Sequence, residues 1–190
     1  MEVTKTPVDG VLLLKPAVHG DDRGFFLESY NRRTWKADTG LDTDFVQDNH
    51  SRSAKGVLRG LHYQVENTQG KLVRCISGEV FDVAVDLREG SPTFLKWCGY
   101  RLSEANKLML WMPEGMAHGF AVLSESAEIL YKATDYYNPV ADRSLLWNDP
   151  VIGIKWPEEL GIPKLSQKDE NAMGLEKALA EKPFAKYSAK

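Results

Sequence analysis

The clearest pattern along the chain is alternation. Residues 79–87 put Glu79, Phe81, Val83, Val85 and Leu87 at odd positions and Val80, Asp82, Ala84 and Asp86 at even ones. A period of two, with one greasy side and one small or acidic side, predicts a β-strand. Similar runs predict strands over 24–30, 45–50, 57–64, 71–77, 94–102, 107–112, 119–123 and 128–134. Turn residues punctuate them, as at Ser77-Gly78, Glu89-Gly90-Ser91-Pro92, Pro113-Glu114-Gly115 and Asn138-Pro139. Helical signal is confined to a turn or two at 32–38 and a tail at 171–182, and the last residues, 183–190, are expected to fray. Many short strands with close turns predict an all-β sandwich or antiparallel barrel rather than a parallel sheet.

Polar residues interrupt these strands at unusual places. Asp82, Asp86, His62, Gln64, Lys71, Arg74, His118 and Tyr131 all fall inside strand-like segments, where burying them unpaired is costly. A barrel with a polar interior that holds a small ligand accounts for them. The chain has 190 residues, 43% apolar and 27% charged, which fits one globular domain over 1–190 with its core at about 3–182. Twenty-four basic against 27 acidic side chains argue against a nucleic-acid binder, which needs a clustered basic surface. Cys75 and Cys98 match neither a disulfide framework nor a zinc pattern and read as reduced core thiols. No cationic start leads into an apolar stretch, and the longest apolar runs, 11–14 and 108–112, are far short of the ~20 residues of a membrane helix. The expectation is a soluble cytoplasmic protein with no membrane partner.

Two segments carry candidate chemistry. In GVLRGLHYQ at 56–64, strict alternation puts Leu58, Gly60, His62 and Gln64 on one face and Arg59 on the other. For Arg59 and His62 to serve one site, a bulge near Gly60 or a strong local twist is required. His62 by itself fits a hydrogen-bonded core imidazole as well as a functional one. In PEGMAHGF at 113–120, a turn is expected to deliver His118 at the mouth of a strand. Together these segments resemble the two motifs of cupins. Metal-binding cupins use a first motif with H-x-H and a glutamate; here Gln64 takes the second position and Lys71 lies where the glutamate belongs. Two histidines beside an ammonium group do not make a transition-metal site, so neither metal nor other cofactor is expected.

Further segments fall in order: DRGFFLE at 22–28, FVQDNHS at 45–51, KLVR at 71–74, VFDVAVD at 80–86, YKAT at 131–134 and SQKD at 166–169. With the two histidine segments, they resemble the dTDP-4-dehydrorhamnose 3,5-epimerase family of metal-free cupins over about residues 3–182. The resemblance implies a cupin or jelly-roll barrel with short peripheral helices and a C-terminal helix. It also implies inversion of C3 and C5 beside the C4 ketone of a dTDP-linked 4-keto-6-deoxyhexose, in dTDP-L-rhamnose synthesis. It assigns His62 as base, since an imidazole of pKa ~6.5 suits that role near neutral pH. Asp169 would orient the ring, Lys71 stabilise the enolate and Tyr131 act as acid on the opposite face. Arg23 and Arg59 would meet the diphosphate or sugar. Glu28, Gln47 and Asn49 would meet sugar hydroxyls and the thymine edge, and Tyr137 would stack on the thymine. Phe26, Asp48, His118, Asp142 and Lys168 also match ligand-contact positions. The family implies a homodimer built through N-terminal strands, with the run at 11–14 as an edge to be covered. A sibling 3- or 5-epimerase or ketoisomerase remains an alternative, as does a non-catalytic nucleotide-sugar-binding cupin.

Overall fold

The computed structural model describes residues 1–181 and 184–188. Thirteen strands follow one another: β1 (Glu2–Lys5), β2 (Leu12–Lys15), β3 (Val18–Asp21), β4 (Gly24–Leu27), β5 (Gln47–Ala54), β6 (Leu58–Gln64), β7 (Lys71–Ser77), β8 (Glu79–Asp86), β9 (Trp97–Ser103), β10 (Met109–Met112), β11 (Met116–Val122), β12 (Ser126–Ala133) and β13 (Asp142–Ser144). Among the described residues, three short α-helices, α1 (Arg32–Thr39), α2 (Gln167–Glu170) and α3 (Leu175–Glu181), and a 3-10 turn at Glu158–Leu160 lie outside them. The strands form a six-stranded sheet, β1-β2-β10-β7-β12-β5, and a five-stranded sheet, β13-β6-β11-β8-β9. The hairpin β3-β4 forms a separate two-stranded sheet. Every strand pair is antiparallel, as the alternation predicts.

The two large sheets enclose a core of Val73, Cys75 and Ile129 from one side and Val80, Ala84, Phe120 and Val122 from the other. The other face of the five-stranded sheet is covered as well, because Val83, Val85 and Leu87 pack with Leu145, Ile152, Leu175 and Phe184. Strand β8 is therefore buried on both faces, and its acidic positions Asp82 and Asp86 are fully enclosed. Asp86 is satisfied by Arg88, Ser91 and Thr93. On the other face of the six-stranded sheet, α1 packs its Trp35 with Leu14, Leu72, Met109 and Trp111. Asn31 caps that helix by accepting from the Arg33 amide, and Trp35 packs edge-on against Trp111 at 5.3 Å.

Several expectations need correction. Strand β11 begins at Met116, so His118 sits within a strand rather than in a turn at its mouth; pairing with β8 starts at Met116↔Asp86. Strand β2 is not an edge: β1 covers one side and β10 the other, leaving β1 and β5 as edges. Arg74 does not face the interior, but lines an outward groove with Leu72 and Leu130, since β7 alternates and Val73 and Cys75 point inward. The tail helix begins at Leu175, because residues 166–171 form a separate turn, α2, that ends at Asn171; Lys182 lies outside the described residues. Of the residues 183–190 expected to fray, 184–188 are described. Phe184 is buried against Tyr63, Lys186 bridges Glu89 and Tyr187 stacks on Arg88; Pro183, Ala189 and Lys190 lie outside the described residues. No helix among the described residues is long and apolar enough to cross a membrane.

Candidate active site

His62 and His118 are direct cross-strand partners on β6 and β11, with Ser144 of β13 on the far side of His62. Two residues further along, the register slips, so that Phe120 faces Arg59. This is the bulge that a shared site for Arg59 and His62 requires. It falls on Gly60, whose φ is +123° and where a Cβ would lie 2.5 Å from the Gly119 Cα, so only glycine fits the crossing. Beyond the bulge, Arg59 Nε donates to Ser53 Oγ at 3.0 Å, bringing β6 against edge strand β5.

Each histidine has its own carboxylate. His62 Nε2 lies 2.6 Å from Asp169 Oδ1, joining residues 107 apart in the chain. Asp169 is buried at the third position of α2. The N-cap Ser166 accepts from its backbone N–H at 3.2 Å and donates its own hydroxyl to Oδ2 at 2.7 Å. Burial opposes charge on Asp169, but hydrogen bonds from His62 and Ser166, His62's charge and the Gly60 N–H outweigh it and hold the carboxyl below its usual range. His118 Nε2 lies 2.6 Å from Asp82 Oδ1, a residue with no exposure at all, and Asp82 Oδ2 has no protein partner.

The six-stranded sheet supplies the opposite wall. Tyr131 of β12 faces His118 across the interior, ring centroids 6.4 Å apart, and Lys71 Nζ lies 6.0 Å from the Tyr131 ring. Burial pushes the Tyr131 phenol up, with Arg59 pulling it down and Asp142 pushing it further. Burial pushes Lys71 down to about 8, against the pull of Asp142 and Asp82, with Lys168 adding to the drop. Beside Tyr131 on β5, Gln47 Nε2 donates to Asn49 Oδ1 at 3.0 Å, and the buried Asn49 Nδ2 is left without a partner. At the rim, Tyr137 is 55% exposed and donates its hydroxyl to Asp142 Oδ2 at 2.9 Å. Lys168 pairs with the same carboxylate.

The structure thus gathers His62, Asp169, His118, Tyr131, Lys71, Arg59, Gln47, Asn49, Tyr137, Asp142 and Lys168 around one interior and its rim. It does not bring Arg23, Phe26, Glu28 or Asp48 there. Arg23 pairs with Asp21 on the β3–β4 hairpin, and Phe26 is 70% exposed. Phe26 and Glu28 line a cavity of about 310 Å³ on the other side of the six-stranded sheet, with Trp35, Leu72 and Met109. Asp48 points to that side as well and pairs with Lys132. Two contributors have no role in the sequence reading. Asp82 is expected in the polar interior but is given no partner or role. Ser166 carries a usable signal, since S-x-x-D opening a helix is a capping pattern. Among the described residues, no group of three or more His, Cys, Asp or Glu is placed to hold a metal ion.

Residues 5–177 match the family model described as dTDP-4-dehydrorhamnose 3,5-epimerase. The chain belongs to the dTDP-4-dehydrorhamnose 3,5-epimerase family. A family member from Salmonella typhimurium is 59% identical over 180 residues, covering 94% of this chain and 98% of the relative. The crystal structure of dTDP-6-deoxy-D-glucose-3,5-epimerase from Legionella pneumophila, in complex with dTDP-4-keto-L-rhamnose, is 48% identical with a TM-score of 0.93, covering 99% of each chain. The same cupin architecture extends to a 3'-monoepimerase from Streptomyces bikiniensis in complex with dTDP-quinovose, at 31% identity and a TM-score of 0.88, covering 96% of this chain and 92% of that one.

Proposed function

We propose that this protein inverts C3 and C5 of dTDP-4-dehydro-6-deoxy-D-glucose, giving dTDP-4-dehydro-L-rhamnose. The observation that carries the reading is a carboxylate-held imidazole and a buried phenol on opposite walls of one interior, with an ammonium group beside the phenol. A hydrogen next to a ketone is removable once the resulting enolate is stabilised. His62 takes the proton from carbon through the ring nitrogen that Asp169 leaves free. The electron pair passes to the C4 oxygen, where Lys71 meets the charge. Tyr131 returns a proton to the carbon from the far face and is itself reprotonated from solvent, while His62 releases the proton it took to solvent before the second carbon is inverted. His118 contacts the sugar from the same wall as His62.

Arg59 and Lys168 suit the diphosphate, Gln47 and the unpartnered Asn49 amide suit polar groups of the substrate, and the exposed Tyr137 ring suits stacking on thymine, with Asp142 fixing its hydroxyl. The hairpin residues Arg23, Phe26 and Glu28, with Asp48, serve a second copy of the chain in a homodimer. The exposure of Phe25 at 59% and Phe26 at 70% supports that placement. We further take residues 1–190 as one domain acting in the cytoplasm, with no nucleic-acid or membrane partner.

The test is turnover in deuterium oxide. Deuterium is expected at both C3 and C5, with the product reducible to dTDP-L-rhamnose by an NADPH-dependent C4 reductase. His62→Ala abolishes exchange at both carbons, and Tyr131→Phe retains exchange at C5 without inversion. Exchange at a single carbon would instead make this a monoepimerase. A monomer at micromolar concentration in sedimentation would remove the homodimer.

A further inference from the structure

We propose that Gln64, assisted by Gln69, is a positioning residue that holds the loop carrying Tyr137 in its ligand-ready shape; this rests on the base-stacking reading of Tyr137 above. Residues 135–138 belong to no helix or strand, and nothing in their secondary structure fixes them. Side-chain amides do so instead, one residue after another. Gln69 Nε2 donates to the Asp135 carbonyl at 2.8 Å. Gln64 Nε2 donates to the Tyr136 carbonyl at 3.2 Å. The Tyr137 N–H donates to Gln47 Oε1 at 3.0 Å, and the Asn138 N–H donates to Gln64 Oε1 at 2.9 Å. Four consecutive residues are thus caught by three glutamines.

Gln64 is the centre of this clamp. It is 8% exposed, and both its amide atoms are engaged with backbone, including a 2.6 Å bond from Nε2 to the Asn67 carbonyl that ties in the loop after β6. Its Cα partner across the sheet is Asp142, which receives the Tyr137 hydroxyl. One β6 position therefore references both ends of Tyr137: the backbone through the loop and the hydroxyl through the neighbouring strand. The ring, more than half exposed, has little packing of its own to hold it. A site whose competent form is already populated binds without first ordering itself, and apparent affinity falls in proportion to the competent fraction. Cutting that fraction to about a tenth raises the dissociation constant about tenfold.

The experiment compares Gln64→Met, which keeps the volume and deletes the amide, with Gln69→Met and Tyr137→Ala. Binding of dTDP and of inorganic pyrophosphate is measured by calorimetry, and kcat and KM on the nucleotide sugar are measured alongside. Gln64→Met is expected to weaken dTDP about tenfold and raise KM in parallel, with kcat and pyrophosphate binding within about twofold. Gln69→Met, anchoring only one residue, weakens dTDP about threefold and keeps the proposal testable should Gln64→Met not fold. In a Tyr137→Ala background neither substitution costs more than about twofold, because the ring they position is gone. Loss of pyrophosphate binding in step with dTDP would mean general damage to the barrel and would overturn the clamp. So would unchanged dTDP binding in both glutamine variants while Tyr137→Ala weakens it. If Tyr137→Ala itself binds dTDP normally, the stacking reading falls first, and the clamp, with no ring to serve, falls with it.

Discussion

The two histidine–carboxylate pairs of the site share a 2.6 Å hydrogen bond and little else. The His118–Asp82 pair lies wholly within the five-stranded sheet, on adjacent strands, with both side chains buried and one carboxylate oxygen unpartnered. The His62–Asp169 pair joins a strand to a one-turn helix outside the sheet. Its imidazole side chain is 32% exposed, and its carboxylate is held by Ser166 and the Gly60 amide as well. An oriented, accessible imidazole backed by a saturated carboxylate suits proton transfer to an incoming ligand. A sheltered imidazole anchored by the sheet suits fixed contact. The same two residue types diverge because one carboxylate is supplied from outside the barrel and the other from its wall.

Replacing each carboxylate by its amide breaks the comparison most sharply. In Asp169→Asn the negative charge that steadies the His62 imidazolium is lost, and an NH₂ turned toward His62 Nε2 would select the wrong tautomer. We expect kcat and the rate of solvent exchange at C3 to fall at least about 100-fold. In Asp82→Asn, the carbonyl can keep facing His118 while the NH₂ takes the place of the unpartnered oxygen, and kcat stays within about tenfold. Equal losses would erase the distinction.

Lys71 offers a second, smaller contrast. Burial lowers its ammonium pKa to about 8, and Asp82, not Asp169, is among the charges that hold it up. Activity is expected to fall as pH rises through about 8. That alkaline limb should move to lower pH in Asp82→Asn, stay put in Asp169→Asn and vanish in any active Lys71→Arg variant, whose guanidinium stays charged. The stability effect has the opposite sign. Between about 8 and 10.5 the unfolded chain binds the Lys71 proton that the folded chain has released, so this residue makes unfolding harder as pH rises across that window. Denaturation midpoints at both ends of the window, with Lys71→Met as reference, measure it.

The smallest expected effect is Ser166→Ala. It removes an N-cap worth about 1 kcal/mol and one of Asp169's donors. A modest drop in the denaturation midpoint should accompany a several-fold fall in kcat. A stability change without a kinetic one would reduce Ser166 to a cap alone.

Much of the barrel is legible in the sequence because alternation records which side of a strand meets apolar neighbours. Strands β6, β7 and β8 lie within a residue of where the pattern puts them. The pattern fails where burial is not one-sided. Every residue of β11 is buried, so nothing alternates to mark its start, and His118 looks like part of a turn. Arg74 resembles its interior neighbours in sequence because a half-buried outer groove tolerates the same mixture of polar and apolar residues. The Gly60 bulge is legible only as a condition for joining Arg59 to His62. Which carboxylate meets which histidine depends on three-dimensional closure, and no local pattern carries it. The resemblance to a family supplies Asp169 and leaves Asp82 without a role.

The distance of 107 residues between His62 and Asp169 has a consequence for biosynthesis. A ribosome delivers the imidazole early and its orienting carboxylate much later, after the strands that close the barrel have been made. A nascent chain interrupted after β13 and before α2 carries all thirteen strands, yet lacks the carboxylate that orients its base. Competence is therefore conferred by the late-made segment, and translation has to reach α2 before the chemistry can begin.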